Sequence, residues 1–262
     1  MSLPFLSRKK AEFGVGIARM EDRYFQTNII DFSETKHNKS TYSIFGGSIV
    51  LEGSTLNARQ FATQGSREKM AAQIFTGTEH FRSGASKVTK DTPEPYKKVQ
   101  SWLQVSYQNE TYHKVSPKFT LGAYLEAYYS SRNFSNNYTA TLMQAGEFTP
   151  TAHSKVTYNE AFRANQYAGV GAIPIYQLSE SFQLRGEFYG FVPIFPIKKD
   201  EYGQAYYGKA FTKFEYLGEI SLVFQLSFGS ISAYVNHYSS PSNDWNVGLT
   251  LGWQLFNSRF IE

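Results

Sequence analysis

Near its C-terminal end the chain alternates strictly between apolar and polar positions. Trp245, Val247, Leu249, Leu251, Trp253 and Leu255 fall on one side, with Asn246, Gly248, Thr250, Gly252 and Gln254 on the other. A period of two over eleven residues predicts a β-strand with one greasy face. Upstream, Ile220, Leu222, Phe224, Leu226 and Phe228 alternate with Ser221, Val223, Gln225 and Ser227, and Ile231, Ala233, Val235 and His237 alternate with Ser230, Ser232, Tyr234 and Asn236. Gly229 lies at the tight turn between these two segments. The same scheme recurs along Phe182–Val192 and Phe119–Tyr128.

Taken together, the pattern predicts strands near 11–19, 22–31, 40–54, 62–81, 98–113, 117–132, 165–178, 181–195, 209–227, 229–239 and 244–256, with a weaker one at 137–143. Most exceed the ~5–6 residues usual in globular sheets and suit the ~9–11 needed to cross a bilayer at a tilt. The stretches 83–97, with Pro93 and Pro95, and 139–164, with Pro150, read as long loops. Residues 1–10 read as an N-terminal tail ahead of one domain, 11–262.

The character of the two faces selects the class. The polar face carries Gly, Ser, Gln, Tyr and Asn with opposed charges (Arg185 and Glu187; Lys213, Glu215 and Glu219), as a wet lumen would. Tyr128, Tyr129, Tyr138, Tyr206, Tyr207, Trp245 and Trp253 crowd strand ends, as an interfacial aromatic girdle would. The expected fold is all-β: a transmembrane antiparallel up-and-down β-barrel of about 11–12 strands, alone or within a larger barrel. In the C-terminal strand, Trp245, Leu249 and Trp253 should face lipid and Asn246, Thr250 and Gln254 should face inward.

Composition agrees. Of 262 residues 17% are aromatic, only 18% are charged, and mean hydropathy is −0.40. So many aromatics exclude disorder, and the sequence holds no run of ~18 apolar residues, which excludes a bundle of membrane helices. A net charge of +4 without a basic block longer than Arg8, Lys9 and Lys10 argues against a nucleic-acid partner. Cysteine is absent, which removes thiolate chemistry and disulfides. The opening residues lack the apolar core of a signal peptide, so the sequence is expected to be a piece of a longer precursor.

Three segments carry a family resemblance. They are 46–65 (GGSIVLEGSTLNARQFATQG), 148–155 (FTPTAHSK) with 159–167 (NEAFRANQY), and 244–257 (DWNVGLTLGWQLFN). Together they resemble the C-terminal barrel of bacterial patatin-like outer-membrane proteins, in the surface-antigen and two-partner translocator superfamily. The second segment corresponds to that superfamily's long inward-folding loop, tipped by an Arg-Gly-aromatic motif. Arg163 matches the Arg, whereas Ala164, Asn165 and Gln166 stand where the family has a single glycine before the aromatic Tyr167. The resemblance implies a membrane anchor or translocator module, non-catalytic by itself, in a bacterial outer membrane. Its implied partners are membrane lipid, lipopolysaccharide and the patatin and periplasmic domains of the same precursor, with self-association through an open sheet edge as a further expectation. No Gly-x-Ser-x-Gly elbow is present, so a family acyl hydrolase activity would reside outside this sequence.

Arg163 reads either as a solvated rim residue or as a guanidinium clasped in the lumen by Glu187, Glu215 or Glu219, for which a planar five-donor group is suited. His237 and Ser239 share a strand face, so a lipid hydrolase of the phospholipase or lipid A deacylase type is the enzymatic alternative, with Asn243 or Asn246 orienting the imidazole. A passive porin is the transport alternative. Histidines 37, 80, 113 and 153 are scattered at no ligand spacing, and no metal or cofactor is expected. Asp91, Glu94, Asp200 and Glu201 read as solvated loop charges or weak cation sites.

Overall fold

A computed structural model describes residues 2–6, 9–25, 37–84, 95–135, 137–240 and 245–253. Chain order runs β1 (Ser2–Leu6), β2 (Lys9–Tyr24), β3 (Asn38–Ser54), β4 (Gly65–Arg82), β5 (Tyr96–Lys114) and β6 (Phe119–Ser130). A compact insertion follows, with helix α1 (Tyr138–Gln144) and the short strands β7 (Gly146–Glu147) and β8 (Arg163–Ala164). The remainder is β9 (Gln166–Gln177), β10 (Phe182–Pro193), β11 (Ile197–Lys199), β12 (Ala205–Tyr207), β13 (Glu215–Leu226), β14 (Gly229–Tyr238) and β15 (Trp245–Trp253).

One eleven-stranded antiparallel sheet dominates, in the order β1-β2-β3-β4-β5-β6-β9-β10-β13-β14-β15. Every neighbour in it is also the next long strand in sequence, so the sheet is an up-and-down meander. No ladder joins β1 to β15 among the described residues. The sheet nevertheless wraps around the insertion between β6 and β9, which touches both flanks: Asn137 donates to the Tyr24 hydroxyl on β2 (2.9 Å), and His153 bonds Thr250 on β15 (2.7 Å). At the opposite end of the strands, the turn between β3 and β4 reaches across to β10, β13 and β14. The carbonyl of Phe61 accepts from Gln183 and Gln225, and Gln60 Oε1 accepts from Ser230.

Side-chain parity follows from the pleat. On β13, Glu215, Leu217, Glu219, Ser221 and Val223 are buried inside, whereas Tyr216, Ile220, Leu222 and Phe224 are exposed outside. On β3, Tyr42 and Ile44 point in, and Phe45, Ile49 and Leu51 point out. Trp245 and Leu249 are exposed as expected, and Thr250 and Asn246 meet the interior, where Asn246 borders a polar cavity. The side chain of Trp253 and residue Gln254 lie outside the described residues.

Several sequence expectations need correction. Residues 2–6 are an edge strand paired with β2, not a tail. The segments 11–19 and 22–31 are one strand through Tyr24, because the charged pair Glu21 and Asp22 continues the alternation instead of breaking it; 26–31 lies outside the described residues. The strand foreseen from 209 begins at Glu215, since Phe211 takes a left-handed φ of 54° that no ladder accommodates. Residues 138–144 are a helix and not a strand: the Asn137 side chain accepts from the Ala140 amide at 2.8 Å, an N-cap that starts a helical turn. The stretch 139–164 is ordered structure, not an open loop, while 85–94 of the other foreseen loop lies outside the described residues. Tyr128 and Tyr138 belong to the interior and the insertion, not to a girdle; Tyr129, Tyr206, Tyr207 and Trp245 are the exposed members.

Candidate functional site

The insertion is held by aromatic packing first. Phe148 and Phe162 are buried against Tyr167, Tyr189 and Phe191 of the wall, with Phe148 stacked on Phe191 at 5.5 Å. Room for Phe148 comes from Gly169 on the inner face of β9, where a Cβ would stand 2.2 Å from the Phe148 ring. Tyr167 also turns its hydroxyl to Glu126 (2.6 Å) and to the Glu147 carbonyl (3.0 Å).

Three polar anchors then fix the segment to the sheet. At one end, buried Arg132 lies over the rings of Trp102 and Tyr42 (4.6 and 5.1 Å) and donates to Gln144, which donates in turn to Asp22 (2.7 Å). Burial draws the pKa of Arg132 down from the usual arginine value, against the pull of Tyr42 and Glu79. In the middle, His153 stacks on Tyr234 at 3.5 Å, places Nδ1 2.7 Å from Glu219 and Nε2 2.7 Å from the Thr250 hydroxyl. Both ring nitrogens are thus partnered, by residues of β13 and β15. At the far end, Asn159 caps the turn at Ala161 and donates to the Ser240 carbonyl (2.8 Å).

Arg163 has different partners from those foreseen. It ion-pairs with Glu147 (2.7 Å), its neighbour across the β7–β8 ladder, donates to the carbonyls of Leu142 and Met143 (3.3 Å each), and lies over the Tyr158 ring. The clasp is therefore internal to the insertion. The three wall acids foreseen as its partners are engaged elsewhere. Glu187 pairs with Arg185, Glu215 accepts from Ser239 and pairs with Lys213, and Glu219 holds His153. Asn165 reaches the Arg132 carbonyl and the Tyr207 hydroxyl, and Gln166 pairs with Tyr129 at the start of β9. Replacing Arg163 by Lys should loosen the insertion, because one ammonium cannot serve a carboxylate, two carbonyls and a ring face together. Proteinase K should cleave the 145–165 segment of Arg163→Lys faster than wild type; equal rates would show that the clasp does not hold the segment.

A second guanidinium, which sequence reasoning treated only as lumen charge, is the deeper clasp. Buried Arg185 pairs with Glu187, donates to the Tyr112 hydroxyl on β5 (2.6 Å), and donates to the Ala62 carbonyl of the β3–β4 turn (2.9 Å). It joins three places far apart in sequence. Tyr189 donates to the same Glu187 carboxylate at 3.1 Å.

His237 and Ser239 are not joined by a hydrogen bond among the described residues. The Ser239 hydroxyl donates to Glu215 and accepts the Tyr216 amide (3.0 Å). His237 lies outside the sheet between Tyr216 and Trp245, along an apolar groove of about 840 Å³ that includes Gly190, Gly218 and Phe214. Asn246 borders an interior cavity, on the opposite face, and Asn243 lies outside the described residues. Asp200 closes the β11–β12 turn by accepting from the amides of Tyr202 and Gln204, and Glu201 is exposed. Asp91 and Glu94 lie outside the described residues. No group of metal-ligating side chains occurs among the described residues. Against known proteins, no family model matches the chain and no curated protein matches it.

Proposed function

We propose that this chain is an outer-membrane β-barrel domain serving as a membrane anchor or translocator module, not catalytic by itself. One observation carries the reading: the sheet is inverted relative to a soluble protein. Its exterior exposes large apolar side chains such as Ile17, Ile74, Val99, Val247 and Leu249, while its interior buries Glu79, Glu126, Arg185, Glu187 and Glu219. Water would penalise so much contiguous apolar exterior, and lipid would not.

The dimensions support the same reading. On β2 the face between Lys9 and Arg19 carries Ala11, Phe13, Val15 and Ile17, all apolar, with Ala11 covered and the other three exposed. Ten residues at ~3.3 Å each, tilted by ~40°, span about 25 Å of depth, the height of a barrel's lipid-facing band. Within that band every backbone group must be paired laterally, and the meander's ladders run along most of each long strand.

The interior bears on the alternatives. The insertion and the β3–β4 turn occupy the space a diffusion porin would leave to water, and the Ser239 hydroxyl is committed to Glu215 and not to His237. The resemblance of segments 46–65, 148–167 and 244–257 adds a patatin-like hydrolase domain as the module's partner, within a longer precursor. Lipid and lipopolysaccharide are the expected surroundings.

The test is insertion. Refolded into phospholipid vesicles, the chain should stay with the lipid through an alkaline wash and migrate differently before and after boiling. A chain that remains monodisperse in buffer without detergent would overturn the reading.

A further inference from the structure

Ion pairing on the exterior of β2–β4 differs sharply between its two ends. At the end bearing the short β1–β2 connection, outward Lys9 is matched by outward Glu68 at 3.6 Å. At the other end, Arg19, Lys39, His80 and Arg82 gather on the same outward face with Thr41 and Ser43, around a pocket of about 330 Å³. The register brings them together: Lys39 lies opposite Arg82, Thr41 opposite His80, and Ser43 opposite Arg19. Lys39 has Glu21 at 2.6 Å, and Glu21 is shared with Arg23. Among the described residues, no carboxylate pairs with Arg19, His80 or Arg82.

Immediately below, the charges end and large apolar side chains appear among hydroxyls. A second hollow of about 270 Å³ begins at Ser43 and runs along Ile17, Phe45 and Val99, with Thr76 and Thr78 between them. A cationic, hydroxyl-rich pocket thus opens onto an uncharged groove walled by Ile17, Phe45 and Val99 on one continuous surface.

We propose that this surface binds a phosphorylated lipid, its phosphate held by Arg19, Lys39 and Arg82 and its acyl chains laid along Ile17, Phe45 and Val99. The proposal rests on the membrane reading above. The chemistry is that of charge complementarity. Guanidinium and ammonium groups facing a membrane need an anion, and a phosphate accepts bidentate bonds from Arg while the Thr41 and Ser43 hydroxyls add donors. The position agrees as well. The long connections between β6 and β9 and between β10 and β13 leave from this same end, and longer connections mark the outer face of such barrels. The lipid is therefore one of the outer leaflet.

The test uses the whole chain in phosphatidylcholine nanodiscs, with insertion first verified by protection from protease. Lipid A, a phosphorylated acyl glycolipid, is added and the amount retained after purification is measured by mass spectrometry. Wild type should retain it, Arg19→Gln/Arg82→Gln should retain on the order of tenfold less, and added salt should weaken retention. Lys9→Gln, at the other end of the same face, should behave as wild type. An inserted barrel that retains no lipid A, or loses it equally in the Lys9 variant, would overturn the proposal and leave the membrane reading intact. Displacement by inorganic phosphate at equal concentration would overturn it in favour of a simple anion site. A chain that never inserts would sink both.

Discussion

Leu249→Arg should destabilise the folded chain in phospholipid vesicles by about 2–4 kcal/mol, the cost of an arginine on the lipid face near the bilayer midplane. Leu249 is 82% exposed. It sits between Val247 and Leu251 on β15, and the register extends its row through Ala233 and Leu222 to Leu184. Every member of that row is apolar, with apolar rows on both sides, so the guanidinium would have no polar surface within easy reach. Trp245→Arg, at the end of the same strand, should cost only about 0–1 kcal/mol, because an arginine near the interface reaches the headgroups. Denaturant titration of both variants in vesicles measures the two costs. A depth-independent result, with both near zero, would place this face in water.

Much of this face was legible because a strand's period is two and needs no long-range information. Alternation alone separated Val247, Leu249 and Leu251 from Asn246 and Thr250, and it did the same for β13 and β14. Local signals failed where one residue sets the backbone. YTATLMQ at 138–144 carries two β-branched threonines and reads as a strand, yet the Asn137 cap and burial of Ala140 and Leu142 against the interior make it helical. The run from 209 looks like strand by its aromatics, and the left-handed Phe211 delays the strand to Glu215.

The interior site was less legible, for a different reason. His153 stands alone in its own segment, and its partners Glu219 and Thr250 are 66 and 97 positions away. No spacing announces such a contact. The Arg163–Glu147 pair could be read only from the short β7–β8 ladder, which exists because the insertion folds back on itself. A guanidinium in an inward loop was a sound expectation of a clasp, but the wall acids chosen for it were already held by Arg185, His153 and Ser239.

Arg185→Leu should cost about 3–5 kcal/mol, the usual penalty for removing one partner of a buried ion pair. Glu187 would remain buried with only the Tyr189 hydroxyl to accept, the Tyr112 hydroxyl would lose the guanidinium, and the Ala62 carbonyl would lose its donor. Replacing both charges, Arg185→Leu with Glu187→Leu, should cost less than the single change, because no uncompensated charge stays inside and apolar replacements of a buried pair are often tolerated. The two effects separate further by location. The β3–β4 turn is tied to Arg185 through the Ala62 carbonyl and the Phe61 ring, while Gln183 and Gln225 hold the Phe61 carbonyl independently. The turn should therefore stay docked in the double variant, with proteolysis at Arg59 through Gln64 no faster than in wild type. A cycle in which the double change costs the sum of the singles would mean that Arg185 and Glu187 do not act as a pair. The wall here would then rest on the aromatic packing of Phe148, Tyr189 and Phe191 and on the His153 and Tyr167 hydrogen bonds, not on this ion pair.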